Sequence, residues 1–513
     1  MTALEQLADR VSAAIWSLHP RWAVEAGKHE YDGVVPDGTP EAEEAALERL
    51  DRLRTRIIAL ADLDPDEQID RDRLLGLVDL ERFEAEVVGR RRRDPGWCLE
   101  ALDVSVYLER DYAPAGLRLE RAAAVLDEAG SLLAAVRSGL EEVLPRPWVE
   151  AAMTAARRRA SRLGAPRLPI PDGADSARWA EAAGRAAGEL ESYANWLEGE
   201  RLPAASPGFG VGGDGVAAWL GASEARPTHA AALAAGGAAR LEEDREALLA
   251  DASALAPGLS LEGACRRFAS AGAVADTEAY LAGALEEARH LVASQDLAAP
   301  VAVPRIEVIA GTGEEAGWLQ APGAYDDAAT DPVLFASSGW APAALNELVV
   351  GAACPGRLVA LRHAARAPGE VRRRFPARGL IDGWRLYAGD LMAEAGYRDR
   401  DPGWRLLWRR RVVLADCRLA LGPRLWAGDL SLEEAQETLG REAGLAGPPA
   451  RTEALRLAAD LGCWSGALGR AEILRWRRRW EAAGRAGAGH RAFHEALLSP
   501  GALPLGTLEG RLP

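Results

Sequence analysis

The chain has 513 residues, 48% of them hydrophobic and 27% charged, with a formal net charge of −16 and a pI near 5.2. That length supports a large buried core, and the composition is that of an ordinary globular protein. The acidity argues against nucleic-acid binding, which needs a basic face toward phosphate, and serves solubility instead.

Lys28 is the single lysine, so nearly all the positive charge is arginine. This skew points to codon usage in a GC-rich genome. The arginine runs 90–93 and 477–479 sit among acidic residues in helical pattern and read as solvated, salt-bridged faces. Cys98, Cys265, Cys354, Cys417 and Cys463 are odd in number and contain no C-x-x-C pair. Neither a disulfide framework nor a zinc knuckle is expected, and a reducing cytoplasm fits. The N-terminus lacks a signal peptide's apolar core, and no apolar run approaches the roughly 18 residues that span a bilayer. A cytoplasmic protein without membrane contact is expected.

Along the chain, residues 3–18 place Leu4, Leu7, Val11, Ala14, Ile15 and Leu18 on one helical stripe, ended by His19-Pro20. Residues 26–40 are dense in turn formers and read as a loop. Thr39 as N-cap, Pro40 at the first helical position and the acidic residues after it then open a long helix. Helical pattern continues over 41–62, 65–90, 117–143 and 146–163, with a proline-rich break at 166–171 and another helix at 175–200. The glycine cluster 203–215 has a G-x-G-x-x-G-like spacing, but no strand precedes it and no Lys-Ser/Thr follows. It reads as a hinge or surface loop between two helical lobes.

The helical period resumes over 229–255 and 259–296. Between 300 and 340 the runs 300–304, 306–310 and 332–336 gather β-formers between turns, which predicts two to four short strands. Thereafter the pattern is helical to about residue 498, before a tail containing Leu503-Pro504-Leu505. In the last third, Ile381, Trp384, Tyr387, Leu391 and Ala395 form a stripe stopped by Gly396. Trp404, Leu407, Trp408, Val412 and Ala415 form another, ended by Gly422-Pro423. Periodicity thus gives a mostly α protein with one small sheet near residues 300–340.

Candidate chemistry is sparse. The seven histidines form no H-E-x-x-H or H-x-H, and His490 and His494, four apart, read as structural or exposed. Glu286, Glu287 and His290 share a helix turn and read as a surface group. Cys354, before Pro355-Gly356 and nine residues ahead of His363, is a candidate nucleophile, against the plainer reading of a packed core thiol.

Two stretches carry a family resemblance: Leu348 to Arg357, and Asp382-Gly383-Trp384 with Tyr387, Leu391, Glu394 and Gly396. They resemble the bacterial domain-of-unknown-function 885 family, zinc-dependent peptidases whose signature is His-Glu-x-x-Pro-Gly-His followed by a Glu-Gly-Trp-x-x-Tyr helix. Tyr31-Asp32-Gly33, Pro36-Asp37, Leu144-Pro145-Arg146, the 428–435 turn, Phe493-His494 and the terminal Leu-Pro-Leu resemble it too. The resemblance covers most of the chain. It implies one family unit over 1–513, with lobes 1–205 and 206–513, and a helical, thimet-oligopeptidase-like architecture.

The chemistry departs from that pattern. Gly351 and Ala352 stand where the family has its first histidine and its glutamate, and Arg357 stands at the second histidine. Asp382 replaces the glutamate of the second motif, and Trp426 a further histidine. Gly462 and Gly466 fall at the family's Gln and Tyr in a looser alignment over 460–469. A catalytic zinc needs about three protein ligands and a base for its water, so no metal, cofactor or catalytic residue is expected here. Arg357 is expected to pair with Asp382 in place of the metal, and Pro355-Gly356 to break the helix after Cys354.

These replacements imply a catalytically inactive homologue that keeps a groove for a peptide or protein. Cys354, Pro355, Gly356, His363, Trp384, Tyr387 and Glu394 would line or support that groove. Two alternatives stay open. One is a hydrolase with a relocated mechanism, using Cys354 with His363 or acids such as Asp382 and Glu394. The other is a non-catalytic subunit of an active paralogue.

Overall fold

The structure, a computed structural model, describes every residue except 1, 166–169, 171–173, 301, 310–315, 327–329, 400, 446, 486, 488 and 513. Most of the 166–171 break therefore lies outside the described residues. The chain forms two compact units: Met1–Val211 with Pro322–Thr330, and Gly212–Ala321 with Asp331–Pro513.

Local signals set the helix starts. Thr2 with Glu5, Asp64 with Glu67 and Ser431 with Glu434 form reciprocal capping boxes, and Thr39 caps the helix that Pro40 opens. In the first unit the helices Ala115–Asp127, Arg146–Gly164 and Ala174–Trp196 bury one apolar core that includes Leu119, Leu126, Val149, Leu190 and Tyr193. The Tyr31-Asp32-Gly33 loop is tied down in this unit. The Tyr112 hydroxyl donates to Asp32 at 2.9 Å, His29 reaches Asp32 and Asp326, and Arg110 pairs with the fully buried Asp326 at 2.9 Å.

In the second unit the strands β1 (Arg305–Ile309), β2 (Gly317–Gln320) and β3 (Val333–Ser337) form a sheet in the order β1-β3-β2. β1 pairs parallel with β3, and β2 pairs antiparallel. All of β3 is buried, and Trp318 stacks on Phe335 across the antiparallel pair. The run at 300–304 forms no strand among its described residues, whereas Gly317–Gln320, with its lone aromatic, was not anticipated.

Four long helices carry this unit: Ala230–Leu255, Arg378–Glu394, Gly403–Ala427 and Ser465–Trp480. The second and fourth cross at glycines. A Cβ on Gly383 would lie 2.6 Å from the Gly469 backbone, and one on Gly469 would lie 2.0 Å from the Gly379 carbonyl. The Gly403–Ala427 helix runs straight through Gly422-Pro423 and ends only at Gly428. There Gly428, at φ 86°, takes the left-handed cap, and Asp429 N–H bonds the Arg424 carbonyl. The buried Leu425 and Trp426 hold the last turn against its neighbours, outweighing the donor that proline lacks. Gly212–Glu224 starts a helix inside the glycine cluster, so its loop is shorter than expected.

One segment, Pro342–Ala365, holds an 18-residue window of mean hydropathy 1.3, long and apolar enough by composition to cross a membrane. This differs from the expectation of no such run. Here 72% of that window is buried within the protein, and the segment is broken in the middle, as a core element would be.

Candidate functional site

The break sits inside the first motif. A helix over Pro342–Leu348 widens into a π-turn at Val349–Ala353, extended backbone follows at Cys354, and a new helix starts at Arg357. Pro355 has no N–H to continue the ladder. Gly356 lies so close to the preceding turn that a Cβ would meet the carbonyl oxygens of Val350 and Gly351 at 2.3 Å. The helix is broken at this point, as the Pro-Gly pair predicts.

Beside the break, the Arg357–Ala365, Arg378–Glu394, Gly403–Ala427 and Pro448–Ala459 helices and the start of Ser465–Trp480 enclose a cleft of about 380 Å³. Asp382 is the one acid among the described residues that line it. Arg357 Nη1 lies 3.5 Å from Asp382 Oδ1, and Arg378 Nε donates to Oδ2 at 3.3 Å. The expected Arg357–Asp382 pair is therefore present, but it is no buried bridge: the Arg357 side chain is 44% exposed.

At Gly351 a Cβ would lie 3.1 Å from the Trp408 ring and 3.6 Å from Arg385 Nε. An aromatic ring and a guanidinium thus occupy the space beside this position. Ala352 is partly buried and brings no polar group. A Cβ on Gly466 would lie 3.1 Å from the Asp382 Cβ, and one on Gly462 3.0 Å from Arg378 Nη1. Both glycines permit close approach to the cleft residues.

The zinc that the resemblance implies does not fit this donor set. Asp382 is a single carboxylate already engaged by two arginines. Among the described residues no three His, Cys, Asp or Glu side chains converge as a metal site.

Residues 20–512 match the family model described as bacterial protein of unknown function (DUF885). The chain belongs to that family. Two solved structures are similar along almost the whole length. One is a candidate lipoprotein of unknown function from Shewanella oneidensis, at TM-score 0.74 and 17% identity over 99% of each chain. The other is a candidate lipoprotein from Colwellia psychrerythraea, at 0.76 and 15% over 99% of this chain and 98% of that one. At such identities the likeness shows the fold alone. The M32 carboxypeptidase from Deinococcus radiodurans R1 aligns at TM-score 0.41 and 12% identity, over 99% of this chain and 98% of that chain. That likeness is too slight to carry anything across. No curated protein matches the sequence.

In this DUF885 chain three other motif positions are buried and hydrogen-bonded. Trp384 is fully buried, and its indole N–H donates to the Pro355 carbonyl at 2.8 Å, joining the two motifs directly. Tyr387 is also fully buried, with its hydroxyl 2.8 Å from His494 Nε2. His494 Nδ1 reaches the Leu297 carbonyl, so Nδ1 carries the proton and Nε2 accepts from Tyr387. Burial pushes the His494 pKa down to about 3. Trp426 does not border the cleft: it is fully buried and donates to the Leu457 carbonyl at 2.9 Å. This replacement for the family's further histidine thus lies apart from Arg357 and Asp382, because the last turn of its helix faces the Pro448–Ala459 helix.

The residues of a relocated mechanism are not assembled. Burial pushes the Cys354 thiol up to about 12, and no hydrogen bond links it to His363, itself depressed by burial and by Arg366. A nucleophilic cysteine needs the opposite shift. Glu394 pairs with Arg477 at 2.8 Å and lies twelve residues along the helix from Asp382, about 18 Å away at 1.5 Å per residue.

Sequence reasoning missed a charged network among the long helices of the second unit. Arg470 is bonded to Asp390 at 2.6 Å and to Asp244 at 2.6 Å, with Asp416 at 3.8 Å. Burial holds the Asp416 carboxyl well above the usual carboxylate range, and it bonds Asp244, whose own carboxyl is lowered by Arg470. These residues lie on all four long helices, so no single stretch displays them.

Proposed function

We propose that this protein is a non-catalytic relative of peptidases that binds a peptide or protein segment in the 357–467 cleft without cleaving it. The observation that carries this reading is Asp382: the only acid among the described residues that line the cleft is engaged by Arg357 and Arg378 and is free neither to hold a metal nor to activate water. The apolar Leu361, Ile381 and Leu386 between the charged residues suit a side chain laid into the cleft.

The proposal includes a cytoplasmic setting, supported by five buried cysteines that are all unbridged. The names of the two structural neighbours support the cell envelope instead, and cell fractionation separates the two. The deciding experiment for function is zinc analysis of the purified full-length protein, with a peptidase screen run with and without chelator. Absence of stoichiometric zinc and of cleavage is expected. Stoichiometric zinc with chelator-sensitive cleavage would overturn the reading.

A further inference from the structure

The cleft has the opposite charge to the protein around it. In a chain of net charge −16, six arginines line this one opening: Arg357, Arg378, Arg385, Arg411, Arg418 and Arg456. Four carboxylates answer them. Asp382 takes Arg357 and Arg378, Asp460 takes Arg378 at 2.9 Å, Glu453 takes Arg418 at 2.5 Å, and Glu347 takes Arg411. Two guanidiniums are left over. The Arg385 and Arg456 side chains make no ion pair or hydrogen bond among the described residues.

Arg385 is the more telling of the two. It is partly buried, and desolvation first, then the neighbouring Arg411, pull its pKa down to about 10 against the attraction of Asp382. A guanidinium stays charged at neutral pH even so. It is therefore a cation held beside like charges, in a recess that shields it from bulk water, with five donors unspent. An arrangement of this kind costs stability in the free protein and is relieved by an anion. The volume, about 380 Å³, falls in the range of small-molecule sites, and the guanidinium fork matches carboxylate and phosphate oxygens.

We propose that this cleft binds a small organic dianion, a molecule carrying two carboxylate or phosphate groups, with Arg385 as its anchor and Arg456 as the second contact. The surplus of two guanidiniums sets the charge, and Leu361, Ile381 and Leu386 accept the apolar part of the ligand. The site stands independently of whether a peptide also enters the cleft.

Titration calorimetry and thermal unfolding of the full-length protein, with inorganic pyrophosphate and with citrate in separate arms, test this. At least one probe is expected to bind saturably at one site, to raise the unfolding temperature, and to weaken about tenfold or more in Arg385→Gln. Pyrophosphate alone assigns a phosphate ligand, and citrate alone assigns a carboxylate ligand. Arg385→Gln forfeits no partner, so it is expected to fold and to unfold no earlier than the parent. If it fails to fold, Arg456→Gln carries the same expectation. Binding of neither probe would overturn the proposal. So would binding untouched by both variants, or binding weakened equally by Arg52→Gln on the exposed surface.

Discussion

The indole nitrogen of Trp384 donates to the backbone carbonyl of Pro355 at 2.8 Å, with the tryptophan wholly out of solvent. One bond thus fixes the broken 342–365 segment to the helix that carries Asp382 and Arg385. Both residues belong to the stretches that match the family, and here they hold the backbone.

Replacing that tryptophan isolates the bond. Trp384→Phe keeps most of the apolar volume and leaves the Pro355 carbonyl without its donor, at a cost of about 1–3 kcal/mol. Urea unfolding followed by circular dichroism measures it. A loss of well under 0.5 kcal/mol would mean that water takes over the carbonyl.

The glycine crossing gives a paired prediction. Gly383→Ala drives a Cβ against the Gly469 backbone, which has no side chain to move aside, and is expected to destabilise by about 1–3 kcal/mol. Gly184→Ala, on an exposed helical position with nothing within 4 Å, is expected to stabilise by about 0.5–1 kcal/mol. The same substitution with opposite signs in one denaturation series separates packing from helix propensity.

Arg470 is expected to be the most sensitive residue of the second unit. Arg470→Met strands Asp390 and Asp244 in the interior and costs about 3–5 kcal/mol. Asp416→Asn keeps the side-chain shape and removes the titrating carboxyl. Because the folded Asp416 carboxyl binds its proton more tightly than the unfolded one, its contribution to stability falls as pH rises above the ordinary carboxylate range. Asp416→Asn removes that slope, so its stability relative to the parent is greatest at neutral pH and declines on acidification. Asp244, lowered by Arg470, works in the other direction and remains in both proteins.

His494 sets a second pH dependence with the opposite sign. Its folded pKa of about 3 lies below the ordinary histidine value, so the unfolded chain takes up the proton first as pH falls. Stability is expected to drop between about pH 6.5 and pH 3 by up to about 1.4 kcal/mol per pH unit from this group. His494→Gln flattens that limb of the curve. Urea midpoints at pH 7 and pH 5 for both proteins check it, and an unchanged slope would exclude His494 as the cause.

Much of the chain was legible from its sequence. The stripe of the first helix, the Thr39-Pro40 start, the stop at Gly396, the break at Pro355-Gly356 and a small sheet within 300–340 all follow from residues within a turn or two of each other. The end of the Trp404 helix was not legible. Pro423 is a poor helix residue taken alone, but the burial of Leu425 and Trp426 decides the matter. Gly317–Gln320 becomes a strand because β3 lies beside it, which its own composition does not state.

The sequence by itself determined family membership and which residue types stand at Gly351, Ala352 and Arg357, since residue types at fixed spacing are local properties. Only the tertiary structure decided what surrounds those positions. The arginines of the cleft come from several separate segments between Arg357 and Arg456, each unremarkable among its own neighbours. Charge in a recess is a sum over everything the fold brings within a few ångströms, so a cationic site can lie inside an acidic protein without marking any one stretch.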